Sequence, residues 1–331
     1  MPIENVFRQF VALDGLLTRE SFSIEIKEQP LTLVTTDPDL LLKLLHEYGK
    51  ETFGKPAWNG LSNAVKGELR RPFIIQEVVL KSDNLLHQLL YGATAHLIGA
   101  IMQFETALWL GLDHSLRAET VFMMGYDGKE RIVFQRGTGL IYANAFGRFP
   151  ETEVSQSDIE IAAQRLKVLP DWTLVETYEV KPHPIALHGF TRLERVWFLL
   201  HLARLQYILP FRIANYVVCL ESLLSDTHNE IRHQLAERAA FLTGRTPAKR
   251  KTLYRRMQGA YDVRSATIHG SGHTNDEKTY CSLSKSCDDT LRRIMAVNDQ
   301  SQLVHEWLFS ERKSESDKKK FREHINKLLF T

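Results

Sequence analysis

Cysteine is scarce in this chain, and its thiols and histidines are not spaced like a metal site. The three cysteines form no even framework for disulfides. Cys219 lies in an apolar run typical of a core thiol, whereas Cys281 and Cys287 are spaced unlike a zinc pair. A proline between His183 and His188 keeps one helical face from presenting both rings. The sequence therefore predicts no disulfide, no metal and no other cofactor.

Signals for secretion, for a membrane span and for a nucleotide loop are also missing. Residues 1–5 lack the basic, then apolar, then small-residue pattern of a secretion signal. The most membrane-like stretch, 93–112, contains His96, Gln103 and Glu105, which is more polarity than a lipid-facing helix usually tolerates. No glycine-rich segment ends in Gly-Lys-Ser/Thr. We expect a buried helix at 93–112, no membrane association and a cytoplasmic location.

Charge is present in both signs but is divided unevenly along the 331 residues. Residues 1–189 contain 18 Lys/Arg and 24 Asp/Glu, a net charge of −6. Residues 190–331 contain 24 Lys/Arg and 16 Asp/Glu, a net charge of +8. A basic surface attracts polyanions such as nucleic acid, although helices often have Lys/Arg-rich solvated faces for other reasons. If a polyanion binds, we expect it at the second half.

The first part of the chain, 1–189, combines two periodicities and predicts an α+β domain. Period-two alternation occurs over 23–28 and over parts of 72–80 and 119–136, whereas helices are predicted over 38–50, 83–112 and 157–168. The turn-forming residues Tyr126-Asp-Gly-Lys129 lie between two strand-like runs and predict a hairpin. Prolines at 170, 182 and 184 mark the boundary to the next domain.

The part from 190 to 310 has almost wholly helical spacing and predicts a helical bundle. Helices are expected over 191–208, 211–225, 229–243, 247–268, 275–297 and 300–309. Pro210 is expected to separate the first two, and Gly244 to end the third. The Ser/Lys/Glu-rich segment 311–320 predicts a solvated linker, and 321–330 a short terminal helix. The fold class is thus an α+β domain followed by an all-α bundle.

Arg264 and His269 lie at the end of the helix predicted over 247–268, and Gly270 provides a left-handed cap. The helix macrodipole favours a protonated imidazole there, and a histidine can serve as acid or base near neutral pH. Arg264 supplies a guanidinium that can bind phosphate. On an ideal helix, five residues separate the two side chains by roughly 140°. Two chains related by a two-fold axis could combine both pairs in one cleft, so we expect a dimer.

Three blocks of sequence, in order and spacing, resemble the HEPN superfamily, specifically its Apea-like branch. They are Tyr216-Val-Val-Cys-Leu-Glu-Ser-Leu-Leu224, Leu235-Ala-Glu-Arg-Ala-Ala-Phe-Leu242 and Tyr261-Asp-Val-Arg-Ser-Ala-Thr-Ile-His-Gly270. The resemblance covers about 190–310 and does not extend to the first half. It implies a helical bundle that dimerises and an Arg-x4-His active site. In that superfamily this motif belongs to metal-independent endoribonucleases of toxins, RNA processing and antiphage defence.

The resemblance implies a role for each residue of the motif. His269 would assist attack of a ribose 2′-hydroxyl on the adjacent phosphate, and Arg264 would stabilise the charge that develops. The expected products carry a 2′,3′-cyclic phosphate and a 5′-hydroxyl. The residue after the arginine is often Asn, Asp or His in the family. Here it is Ser265, which is polar but cannot act as a base.

Other residues near the motif are expected to support it. Glu221 matches a family position and is expected to orient Arg264 through an ion pair. Tyr261 could stack on a base, although packing is the alternative. The predicted helix also has a basic stretch that could follow an RNA backbone or form a solvated face: Lys249, Arg250, Lys251, Arg255 and Arg256.

The leading hypothesis is a dimeric endoribonuclease of antiphage defence or of a toxin, with RNA as its substrate. Its first domain, of unknown family, would sense a trigger or bind a regulatory protein such as an antitoxin. The main alternative is a non-catalytic HEPN module that binds RNA, a nucleotide or a protein. A third possibility places an enzyme in the first domain, although no nucleophile, metal or phosphate motif clusters there.

Overall fold

The chain divides into two compact units, and residues 143–148 and 184–189 fall in the second unit although the predicted division at 189/190 placed them in the first. The first comprises Met1–Tyr142 and Phe149–His183, and the second comprises Ala143–Arg148 and Pro184–Thr331. The computed structural model describes residues 3–18, 22–26, 29–34, 73–82, 86–126, 131–167, 191–226, 230–271, 276–296, 306–307 and 314–329. The predicted helix 38–50, the turn residues 127–129, His183, His188 and most of 300–309 lie outside these residues.

Within its described residues, the first unit contains an antiparallel sheet of six strands: β1 (Ile3–Ala12), β3 (Phe22–Ile26), β4 (Gln29–Val34), β5 (Phe73–Ser82), β6 (Leu116–Tyr126) and β7 (Arg131–Tyr142). Their order in the sheet is β3-β4-β5-β1-β6-β7. The short strands β2 (Leu16–Leu17) and β8 (Thr152–Glu153) pair in parallel. β6 and β7 pair in the antiparallel register expected of the predicted hairpin, with Tyr126 opposite Arg131.

Helix α1 (Leu86–Trp109) packs against this sheet, followed later by α2 (Gln156–Leu166). Leu90 and Ala93 of α1 meet Phe7 of β1 and Met123 of β6 in a buried cluster. Glu105 is only 1% exposed. The membrane-like stretch is therefore a buried helix, as its polar residues predicted. Within the described part of the chain, no helix is long and apolar enough to cross a membrane.

The second unit is helical, which confirms the coarse prediction of an α+β domain followed by a helical domain. Its helices are α3 (Arg192–Leu205), α4 (Leu209–Leu224), α5 (Ile231–Thr243), α6 (Pro247–His269), α7 (Glu277–Met295) and α8 (Glu315–Leu329). Pro210 lies in the first turn of α4 rather than before it, because the first turn needs no amide donor at that position. Cys219 and Cys287 are fully buried, so the predicted core thiol at Cys219 is confirmed, and burial raises both thiol pKa values.

Buried polar groups connect the 143–148 segment to the helical unit. The guanidinium of Arg212 is fully buried and donates to the carbonyl oxygen of Ala143 at 2.8 Å. The hydroxyl of Ser284 on α7 donates to the carbonyl oxygen of Ala145 at 2.7 Å. Buried carbonyl groups must find donors, so these two bonds stabilise the segment in its place. The segment follows β7 in sequence, but its backbone is bound by the helical unit.

The prediction of a solvated linker over 311–320 is wrong from residue 315 onward, because α8 begins there. Ser314 and Asp317 form a reciprocal cap, in which each side chain accepts from the other residue's backbone amide. Phe321 is fully buried and Ile325 is 2% exposed, at helical spacing. The charged residues at the start of α8 therefore belong to a capped amphipathic helix. Because charged residues are so abundant in this segment, its sequence resembles a solvated linker and does not reveal the cap.

Asp226 joins the middle of α8 to the rest of the unit through two arginines. Its side chain is fully buried and accepts from Arg238 at 2.8 Å and from Arg322. Burial by itself raises the pKa of Asp226, but hydrogen bonds and charges from the two arginines outweigh it and lower the pKa below its usual value. The carboxylate is therefore stabilised in its charged form.

We expect Asp226→Asn to lower the free energy of unfolding by about 1.5–3 kcal/mol at pH 7, because charged hydrogen bonds are lost. The lowered pKa means that this stabilisation is complete above the unfolded pKa of about 3.9 and is lost as pH falls through the folded value. Urea denaturation of wild type and variant at several pH values measures the difference. The matched control is Asp262→Asn, whose exposed ion pair with Arg232 should contribute at most about 1 kcal/mol. A difference for Asp226→Asn that does not shrink in acid would contradict the assignment.

Candidate functional site

Arg264 and Glu221 form an ion pair that connects α6 to α4. The Nη2 atom of Arg264 lies 3.3 Å from Oε2 of Glu221. The side chains are 25% and 17% exposed, respectively, so solvent reaches the pair only in part. The contact predicted between these two residues is therefore present, although they are 43 positions apart in sequence.

The electrostatics of this pair are set by partial burial. Burial raises the pKa of Glu221, and the charge and hydrogen bond of Arg264 oppose that rise. Neither Nε of Arg264 nor Oε1 of Glu221 has a hydrogen-bond partner among the residues that the structure describes. A buried donor without a partner is costly.

Tyr261 lies one helical turn before Arg264, and its ring contacts the Arg264 side chain. The guanidinium carbon of Arg264 lies 5.7 Å from the centre of the Tyr261 ring, within cation–π distance. Arg264 is therefore held by Glu221 and Tyr261 together. The predicted packing role of Tyr261 agrees with this contact. Ser265, the next residue of the helix, is half-buried.

His269 is the last residue of α6 and is exposed. The helix ends because Gly270 adopts a left-handed conformation with φ of 69°, so the cap predicted from the sequence is confirmed. Ile268 is an apolar neighbour that is 61% exposed. Arg264 is thus held by neighbouring side chains, and His269 is presented at the surface five residues later, about 1.4 turns further along the helix. One helix cannot present both on one face.

The structure separates the predicted basic stretch into two classes. Lys249, Lys251, Arg255 and Arg256 are exposed on α6. Arg250 instead donates from Nε to the carbonyl oxygen of Gly244 at 3.0 Å and from Nη1 to that of Leu328 at 2.9 Å. These bonds give Arg250 a structural role at the ends of α5 and α8. We therefore leave it out of the proposed RNA-binding set.

Two cations of this stretch, Lys249 and Arg256, line a groove of about 320 Å³ between α6 and α7. The lining residues of this α6–α7 groove are Ala248, Lys249, Thr252, Leu253, Arg256, Ser286, Asp289, Thr290 and Arg293. No sequence motif distinguishes the α7 residues of this lining, since they belong to an ordinary amphipathic helix. Only the basic pair Arg292-Arg293 in its last turn was a signal.

No family model, no curated protein and no solved structure matches the chain. Within the part of the chain that the structure describes, no cluster of three or more His, Cys, Asp or Glu side chains is arranged to hold a metal.

Proposed function

We propose that the chain is an endoribonuclease of the HEPN type, in which Arg264 and His269 carry the chemistry. The observation that carries the proposal is the Arg264–Glu221 pair. It holds a partly buried guanidinium, with an unsatisfied Nε, five residues before an exposed histidine at a helix end. A cation with unused donors and a general acid or base are the two groups that phosphodiester cleavage at a ribose requires.

In the proposed reaction, His269 takes the proton of a ribose 2′-hydroxyl. The 2′-oxygen forms a bond to the adjacent phosphorus, and the bond from phosphorus to the 5′-oxygen breaks. The protonated imidazole of His269 returns this proton to the departing 5′-oxygen, which leaves a 5′-hydroxyl and a 2′,3′-cyclic phosphate. Arg264 stabilises the negative charge on the non-bridging oxygens during this step. The step needs no metal and no cofactor.

The proposed active form is a homodimer. Arg264 and His269 project about 140° apart on one helix, so a single chain has difficulty bringing both to one phosphate. A two-fold axis near the end of α6 would bring His269 of each protomer towards the other, and the exposed Ile268 beside it offers apolar surface for the contact. Lys249, Arg255 and Arg256 would bind the RNA backbone on the same helix.

The first unit is the proposed regulator of this activity, in the cytoplasm, as part of antiphage defence or of a toxin. It would bind a trigger or a protein partner such as an antitoxin. The proposal is based on the separation of the chain into an α+β unit and a helical unit that carries Arg264 and His269.

The chemistry can be tested with matched substrates in EDTA. Full-length protein is incubated with total cellular RNA, with an RNA oligonucleotide and with the same sequence as DNA. We expect cleavage of RNA alone, with cyclic phosphate and 5′-hydroxyl ends detected by mass spectrometry. His269→Ala protein purified in parallel reports any contaminating nuclease. Cleavage of the DNA, 5′-phosphate ends, no cleavage of any RNA, or equal cleavage by His269→Ala would each refute the proposal.

A further inference from the structure

The α6–α7 groove carries a net positive charge. Three of its lining residues are cations, and Asp289 is its one acidic lining residue. The carboxylate of Asp289 is already neutralised, because Nζ of Lys285 lies 3.0 Å away and Nη2 of Arg292 lies 2.9 Å away. The groove therefore favours an anionic ligand.

The floor of the groove consists of hydroxyl groups from α7. Ser286 is 3% exposed and accepts a hydrogen bond from Nη1 of Arg256 at 3.2 Å, which orients that guanidinium. Thr290 is 1% exposed, and its Oγ1 has no hydrogen-bond partner among the described residues. Buried hydroxyls are normally bonded, so an unsatisfied one at the floor of a cationic groove indicates a missing oxygen-bearing partner.

The composition of the groove distinguishes phosphate from base recognition. None of its lining residues is aromatic, so no ring is offered for a base to stack on. The cations and hydroxyls suit the oxygens of a phosphodiester. Arg256 and His269 are thirteen residues apart on the same helix, which corresponds to about 20 Å along its axis. A strand following α6 would thus reach both.

We propose that the α6–α7 groove binds backbone phosphates of the single-stranded RNA whose scissile bond lies at His269. This inference rests on the proposed function for the identity of its ligand. It assigns a phosphate subsite remote from the cleaved bond, built by Lys249 and Arg256 over the hydroxyls of Ser286 and Thr290. Arg293, whose Nη1 already donates to the carbonyl oxygen of Thr243 at 3.2 Å, adds positive charge to the lining.

The experiment compares two lysines that lie two residues apart on α6. Lys249 lines the groove, and Lys251 is also exposed but does not line it. Fluorescence anisotropy measures binding of a 2′-O-methyl oligouridine of about 16 nucleotides, the upper end of single-strand site sizes. All proteins carry His269→Ala, so binding is measured without cleavage. The dissociation constant is followed against salt concentration.

We expect Lys249→Ala to reduce the slope of log affinity against log salt by about 0.7, the value for one phosphate contact on a single strand. Lys251→Ala should leave the slope unchanged. Thr290→Val should weaken binding while the melting temperature stays the same or rises, because an unsatisfied hydroxyl is removed. A loss of melting temperature in Thr290→Val would instead mean that this hydroxyl is bonded within the fold.

Other outcomes overturn the inference in recognisable ways. Equal slope changes for Lys249→Ala and Lys251→Ala would mean a diffuse basic field rather than a groove. Binding of inorganic phosphate or a mononucleotide as tight as that of the oligonucleotide would assign the groove to a small phosphorylated ligand. If the protein binds RNA through the groove but never cleaves RNA, the inference about the groove holds and the proposed function is refuted. The failure of one can therefore be distinguished from the failure of the other.

Discussion

His269→Ala is expected to lower the rate of RNA cleavage by at least about 100-fold, because general acid–base catalysis contributes roughly 10²–10⁴-fold. Arg264→Ala is expected to cause a loss of about 10²–10³-fold, the effect of removing one donor to a developing oxyanion. Initial rates on one fluorescent RNA, measured at saturating substrate, report both losses in kcat. Binding of a non-cleavable RNA should change much less than the rate.

Two matched variants separate catalysis from structure. His233→Ala removes another exposed histidine of the same unit, whose ring contacts the hydroxyl of Tyr254 at 2.8 Å, and should leave the rate unchanged. Glu221→Gln keeps the shape of the partner but weakens the ion pair with Arg264, so we expect a partial loss. If His269→Ala and His233→Ala cleave RNA equally fast, the assignment of His269 is incorrect.

The shared site predicts a further effect of mixing. After subunits exchange, an excess of His269→Ala chains should reduce wild-type activity below the value expected from dilution, because most wild-type chains then lie in mixed dimers. Activity that remains proportional to the wild-type chains alone would show that each chain cleaves independently.

Arg212→Met is expected to lower the free energy of unfolding of the helical unit by about 3–5 kcal/mol, the cost of removing one partner from a buried charged network. Arg212 donates to the carbonyl oxygens of Arg204 and Gln206 at 3.1 and 2.9 Å, as well as to Ala143. It also donates to the hydroxyl of Tyr216, which donates to Asp288 at 2.8 Å. Methionine fills similar space but leaves the three carbonyl groups and the Tyr216 hydroxyl without this donor.

Urea denaturation followed by circular dichroism measures this loss in the full chain. The control is Arg255→Met, an exposed arginine of α6, which should change stability by no more than about 0.5 kcal/mol. A loss below about 1 kcal/mol for Arg212→Met would mean that water or another donor replaces the guanidinium.

Several features of the fold were predictable because their causes are local. The start of α6 follows from Thr246, whose side chain accepts from the amide of Lys249, and from Pro247 in the first turn. Its end follows from Gly270. The buried helix α1 and the β6–β7 hairpin likewise follow from hydrophobic periodicity. Side-chain spacing and capping depend on residues that lie a few positions apart, so these elements can be predicted from the sequence.

The terminal helix shows where local reasoning was incomplete. The cap at Ser314 and Asp317 is a local signal, but the charges that follow it resembled a solvated segment. What stabilises α8 is distant: Phe321 stacks on Trp307 with ring centres 4.3 Å apart, and Arg322 reaches Asp226. Marginal helices depend on tertiary packing, which the sequence does not display.

The candidate site divides in the same way. Helical periodicity alone places Arg264 and His269 at the end of one helix, about 140° apart, with a glycine to end it. The packing of the helices was needed to learn that Arg250 is bound to two carbonyl groups and that Lys249 and Arg256 line a groove with α7. The reason is physical: positions along one helix follow from its geometry, whereas a groove requires two helices to pack side by side.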